Sequence, residues 1–208
     1  MSDCNSIHQL FNSFKRFNFP FDSNDIPFNG IYIIFEKGEI SHGVDRIVRI
    51  GTHTGNNQLR SRLFQHFINE NKDRSIFRKN IGRALLNHDR DDFLKFWELD
   101  LTTRIAKDKY SDKIDFSKQK VIEKNVSKYI QDNFSFVVLK IDDKDSRLIL
   151  ESKIISTVSL CNVCKPSDIW LGLFSTKEKI RNSGLWLVNE LYKSPLEDKD
   201  FLELKKLI

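Results

Sequence analysis

Between residues 30 and 51 the chain carries two runs of β-branched and aromatic residues, "GIYIIF" and "RIVRIG", separated by a polar stretch containing glycine. Runs of this length on either side of a turn signal predict a β-hairpin, with strands over 30–36 and 46–51 and a turn within 37–43. No other feature constrains the fold as tightly, because a strand sends alternate side chains to opposite faces. Tyr32 and Ile34 therefore face one way, and Ile31, Ile33 and Phe35 the other.

The rest of the chain supplies cover for a small sheet. Apolar spacing predicts helices over 59–69, capped by Asn56 or Asn57, and over 75–86, capped by Ser75. The run "FSFVVLKID" predicts a strand over 134–142, followed by a helix over 146–161. Residues 1–29 read as a helix or arm leading to a loop, and short helices are expected over 176–182 and 196–208. Residues 88–133 hold alternating charges and then a helical pattern over 118–133. They read as an insertion carried by the core, or as a surface for recognition or dimerisation. With no repeat or linker, residues 1–208 are expected to form one α+β domain, a small antiparallel or mixed sheet flanked by helices.

With 39% hydrophobic residues, among them 17 Phe and 3 Trp, the 208 residues can build a sizeable core. There is no apolar run long enough to span a bilayer and no basic-then-apolar leader, so a soluble, cytoplasmic protein is expected. Cys4, Cys161 and Cys164 are too few for a disulfide framework. "CNVC" has zinc-like spacing, but a structural zinc takes four ligands and the sequence offers no second pair, so Cys161 and Cys164 read as small buried hydrophobes.

Charge is unevenly spread. Residues 46–83 carry nine cations against two anions, a local +7 in a chain whose net charge is +5. A basic concentration in one stretch is what an anionic polymer selects, although a solvated helical face gives the same count.

Three side-chain placements carry chemistry. On the helix over 59–69, Arg62 and His66 are four apart and border the stripe of Leu59, Leu63 and Phe67. Arginine offers a planar cationic fork suited to phosphate, and histidine exchanges a proton near neutral pH. On the helix over 146–161, Glu151 shares the face of Leu150, Ile154 and Val158. A carboxylate on a core-facing stripe needs a cation, a donor or a metal. A buried ion pair and a ligand for Mg²⁺ are both open readings. Tyr32 is a packing residue unless cations and a metal stand nearby to favour its ionised form.

In their order and spacing, Gly30-Ile31-Tyr32, Arg49-Ile50-Gly51, Arg62 with His66, and Glu151 resemble the GIY-YIG nuclease superfamily, its restriction- and defence-like bacterial members in particular. The resemblance covers residues 30–86 and 134–170. It implies a metal-dependent endonuclease cutting DNA in a restriction, defence or repair role. Glu151 would hold Mg²⁺ or Mn²⁺, Tyr32 would be general base helped by His66, and Arg62 would stabilise the pentavalent phosphorus. Arg49, His53, Arg74, Arg78, Lys79 and Arg83 would contact the nucleic acid. Arg49 replaces the second motif's tyrosine, whose contribution falls to His53 or Thr52 or is missing. The family's late asparagine matches Asn162, Asn182 or Asn189. Four residues, Tyr32, Arg62, His66 and Glu151, are expected around one cleft with Arg49 at its rim. One site cuts one strand, so a homodimer would serve double-strand cleavage. The alternative is a domain that binds nucleic acid without cutting it.

Overall fold

The structure, a computed structural model, describes residues 4–207. Helix α1 (Cys4–Asn12) and a two-residue strand β1 (Phe17–Asn18) lead to the hairpin, β2 (Gly30–Ser41) and β3 (Val44–Gly51). Helices α2 (Leu59–Phe67) and α3 (Ile76–His88) follow. Then come α4 (Leu94–Trp97), α5 (Arg104–Tyr110) and α6 (Phe116–Asn133), the last running straight into β4 (Phe134–Lys140). Beyond β4 lie α7 (Lys144–Ser159), α8 (Glu178–Ser183) and α9 (Asp198–Lys206). Ile208, the expected end of the closing helix, lies outside the described residues. Among the described residues no helix is long and apolar enough to cross a membrane.

The fold is α+β, built on one four-stranded antiparallel sheet in the order β1-β4-β2-β3. Alternation along β2 splits the core as the sequence predicts. Tyr32 and Ile34 join the cluster formed with α2, α3 and α6, while Ile31, Ile33 and Phe35 join the cluster formed with α1 and α7. Both faces of the sheet are therefore covered, and β3 is one of its two edges, β1 the other.

The hairpin is longer than expected. The predicted turn within 37–43 shrinks to His42–Gly43, both at positive φ (53° and 76°), as two-residue hairpin turns require. Gly38 (φ 86°) lets β2 bulge and continue. Residues 36–39 face only Arg46 between the pairs Phe35–Ile47 and Ile40–Asp45. The bulge turns Glu36 and Glu39 inward, where both are buried.

Helix starts follow local chemistry. The side chains of Ser75, Asp115 and Asp143 accept from backbone N–H groups of α3, α6 and α7. α2 departs from expectation: Gln58 stands at its N-cap with no side-chain bond, and Asn57 adopts a left-handed conformation instead.

Residues 88–133 are built into the core. Phe93, Trp97, Leu101, Ile114, Ile122, Val126 and Ile130 share the cluster of Tyr32, and the Trp97 indole donates to the Lys79 carbonyl at 3.0 Å. Within this region α5 and the turn Ser111–Lys113 that follows it have no buried residue.

Candidate active site

The end of β3 is where the two layers meet. Gly51 pairs with Tyr32, and the phenol lies so close that a Cβ on residue 51 would come within 2.2 Å of the Tyr32 oxygen. Glycine is required here by that approach. The next residue, Thr52, is tied back to the start of β2 through its hydroxyl, which donates to the Gly30 carbonyl at 2.7 Å. Its backbone N–H donates to Glu151 Oε1 at 3.0 Å. Tyr32 and Glu151 approach from opposite faces of the sheet and come near each other at Gly51–Thr52.

Behind Tyr32 runs a buried hydrogen-bonded chain. Tyr32 Oη is 2.8 Å from His66 Nε2, and His66 Nδ1 is 2.7 Å from Ser75 Oγ. Tyr32 is 1% exposed and His66 is fully buried. Burial, followed by the charges of Arg49, Arg62 and Arg78, holds the imidazole well below its usual pKa. His66 is therefore neutral at pH 7, with one ring nitrogen donating and the other accepting.

Beside β3 lies a cavity of about 440 Å³, lined among others by Arg49, Arg62, Asn80, Glu151, Asn189 and Glu190. These come from β3, α2, α3, α7 and the segment after α8, so the cavity spans both layers at the sheet edge. The tail follows that edge, with Trp186 N–H donating to the Val48 carbonyl at 2.8 Å. Arg49 donates through Nη1 to the Trp186 carbonyl and lies over the Phe77 ring, yet its buried Nε has no partner. Asn80 accepts from Arg83 at 2.6 Å through Oδ1, and its buried Nδ2 also has no partner. Arg62 is half-buried and also lines a second, polar cavity of about 360 Å³ with Thr52, Thr54, Gln58 and Ser61.

Two carboxylates face the first cavity. Burial raises Glu151 to about 7, and the charge of Glu190 adds to this against the opposing effects of Arg49, the Thr52 N–H and Arg62. Glu190 accepts from Lys193 at 2.7 Å and from Ser152 at 2.6 Å, and these bonds hold its pKa below the usual value.

A family model described as the GIY-YIG domain matches residues 5–208. The chain belongs to the GIY-YIG domain family. The family is of nuclease type, so the domain's substrate class is nucleic acid. No curated protein and no solved structure matches the chain.

Within this GIY-YIG domain the sequence-derived site residues separate into three groups. Arg62 and Glu151 line the cavity, whereas Tyr32, packed against Gly51, and His66 behind it do not, a correction to the one cleft expected of all four. Arg49 is buried on the cavity floor, a correction to its expected place at the rim. Of the three candidate asparagines, Asn189 lines the cavity, whereas Asn162 is exposed elsewhere and Asn182 sits on α8 near Glu178.

The expected nucleic-acid contacts need the largest revision. Arg78 is fully buried and bonds the Glu123 carboxylate at 2.8 Å, the Glu123 carbonyl and Ser127. Arg83 makes a two-pronged pair with Glu98 at 2.8 and 2.6 Å. Lys79 pairs with Asp73 at 3.4 Å. His53 is buried, its Nδ1 at 2.6 Å from the Gly55 carbonyl and its Nε2 accepting from Gly30 N–H at 3.4 Å. Burial lowers its pKa, so it is neutral at pH 7, and it lines the polar cavity beside Arg62. Arg74 alone of that group is exposed. The local charge count misled because Arg46, Arg78 and Arg83 take partners outside the counted stretch, namely Glu39, Glu123 and Glu98.

Asn80, Glu190 and the Thr52 N–H were not legible beforehand. Asn80 sits in a stretch chosen for its cations, and nothing in "WLVNELY" marks Glu190 as facing Glu151.

Proposed function

We propose that the domain is a divalent-metal-dependent endonuclease that hydrolyses DNA phosphodiester bonds at the cavity beside β3. One observation carries this reading: Arg49, Arg62 and Glu151, brought from three separate elements, line the same cavity beside β3. A phosphate diester supplies acceptor oxygens and a charge that Arg49 and Arg62 both favour.

The donor set fits a hard cation. Glu151 commits one oxygen to Thr52 N–H, leaving the other free, and Mg²⁺ or Mn²⁺ commonly binds through one or two carboxylates. When bound, such an ion supplies Lewis-acid polarisation of the phosphate and charge neutralisation between phosphate and carboxylate. Arg62 orients the non-bridging oxygens. Tyr32, the general base that the family resemblance implies, would take the proton of the attacking water only with its phenol, buried here against Gly51, brought out to the cavity.

A second reading, binding without cleavage, is favoured by the near-complete burial of Tyr32. The two separate in one assay. Purified protein with supercoiled plasmid and Mg²⁺ or Mn²⁺ is expected to nick or linearise it, and Tyr32→Phe to slow this by about 10²–10³-fold with unchanged binding. No cleavage of duplex DNA, single-stranded DNA or RNA under either metal would leave the binding reading in possession.

Burial also orders the cations by their effect on binding. Arg62→Gln and Arg74→Gln are each expected to reduce the slope of log K against log salt by about 1. Arg78→Gln should instead lower the melting temperature, because it strands Glu123. A salt slope that changes with Arg78→Gln and not with Arg74→Gln refutes this assignment.

A further inference from the structure

At the far end of the hairpin from Gly51, all three cysteines and two histidines converge. One ligand atom each of Cys4, His8, His42 and Cys164 lies within 4.8 Å of the others. Cys161 Sγ is 3.6 Å from His42 Nε2, and Cys164 Sγ is 3.5 Å from His8 Nε2. In a tetrahedral zinc site, with Zn–S of about 2.3 Å and Zn–N of about 2.0–2.1 Å, neighbouring ligand atoms stand about 3.5–3.8 Å apart. The second ligand pair that the sequence did not show is supplied by α1 and the hairpin turn. Cys161 and Cys164, which the sequence alone reads as small buried hydrophobes, thus each have a histidine beside them.

We propose that Cys4, His42, Cys161 and Cys164 hold a structural zinc ion, with His8 supporting the site without binding the metal. Four ligands are needed and five side chains are present, so one must be excluded. Both ring nitrogens of His8 are already engaged: Nδ1 is 2.9 Å from the Cys4 carbonyl, and Nε2 accepts from Ile47 N–H at 3.1 Å. Drawing Nε2 to a metal would strand a buried backbone donor at the hairpin bulge. Placed against Cys4, with Nδ1 3.4 Å from its sulfur, the His8 ring instead orients a ligand, as outer partners of zinc sites do. His42 is free for the role. It occupies a left-handed turn position where asparagine is the common choice, and there its imidazole meets Cys161.

The site would join three parts of the chain: the first turn of α1, the tip of β2–β3, and the loop after α7. Apolar packing holds α1 through Ile7 and Phe11, and the metal would fix its N-terminal end. Cys161 follows Glu151 by ten residues, a helical rise of about 15 Å, so this site is separate from the proposed nuclease centre and does not rest on that reading.

The test is metal content of the full chain, purified under reducing conditions without chelator. About one zinc per chain is expected, and exchange for Co²⁺ should give tetrahedral d–d bands with thiolate charge transfer. Cys164→Ser and Cys161→Ser should each lose stoichiometric metal, while His8→Asn keeps it. A strong chelator should lower the melting temperature of wild type by at least about 5 °C. Fewer than about 0.1 zinc per chain with no cobalt spectrum on reconstitution, or a disulfide among these cysteines in the reduced preparation, overturns the proposal. Retention of metal by Cys161→Ser with loss in His8→Asn overturns the assignment of the fourth ligand.

Discussion

Glu151→Gln is expected to reduce plasmid cleavage by about 10³-fold while leaving the melting temperature within a few degrees of wild type. The two halves of this expectation have different origins. Glutamine preserves a side-chain oxygen for the Thr52 N–H, so the hydrogen bond at the end of β3 survives. Burial has already lifted the carboxyl to about 7, so ionisation of Glu151 is opposed by its surroundings and no structural ion pair is lost with the charge. What disappears is the anionic oxygen that shares the cavity with Arg49 and Arg62, from one of the two carboxylates there suited to a hard cation. Glu151→Ala should be as inactive and less stable, by about 1 kcal/mol, because Thr52 N–H then lacks its partner. Measured side by side, cleavage rate and melting temperature distinguish a residue of the chemistry from one of the scaffold. Full activity in Glu151→Gln would move the metal, and with it the proposed mechanism, elsewhere; Glu190 would be the next carboxylate to test.

Legibility from the sequence followed the range of the interaction concerned. The faces of β2 were readable because period-two alternation is a property of the strand alone, and the start of α3 because Ser75 caps within three residues. The length of the hairpin was not, since Gly38 can close a turn or allow a bulge, and only packing of Glu36 and Glu39 against distant partners decides which. The cations of residues 46–83 were visible, but their pairing was not. Arg78 meets Glu123 across 45 positions, and a buried ion pair leaves no local trace of which acid is chosen. Arg62 and His66 show the same limit within one helix. Both border the apolar stripe, yet His66 turns fully inward because Tyr32 and Ser75 supply partners for both its nitrogens, while Arg62 stays at the cavity. The zinc ligands were hidden for a geometric reason. Cys4 and His42 lie about 120–160 residues from Cys161 and Cys164, and spacing rules search for pairs, not for folds that bring singles together.

Glu36→Ala is expected to cost about 3–5 kcal/mol of stability, against a change within about 1 kcal/mol for Glu36→Gln. Glu36 is buried with three donors converging on its carboxylate: Tyr129 Oη at 2.6 Å on one oxygen, and the indoles of Trp170 and Trp186 at 2.7 and 2.9 Å on the other. Alanine leaves all three unmet in the interior and opens a void between two tryptophans. Glutamine keeps the doubly bonded oxygen for the indoles and turns its amide toward Tyr129, whose hydroxyl can accept. No ion pair reaches Glu36 among the described residues, and burial, as the largest effect, raises its pKa despite the three donors. The sign of the pH dependence follows. A carboxyl with a raised native pKa contributes stability that is complete below its unfolded value of about 4.3 and is lost as pH rises toward the native one. Glutamine does not titrate, so the melting temperature of Glu36→Gln relative to wild type should increase between pH 4 and pH 8, read by thermal denaturation at about four pH values. A difference that shrinks over that range would mean the ionised carboxylate is favoured by the fold, and the raised pKa would be wrong in direction. Equal damage from glutamine and alanine would mean that the site needs two acceptor oxygens, whatever the charge.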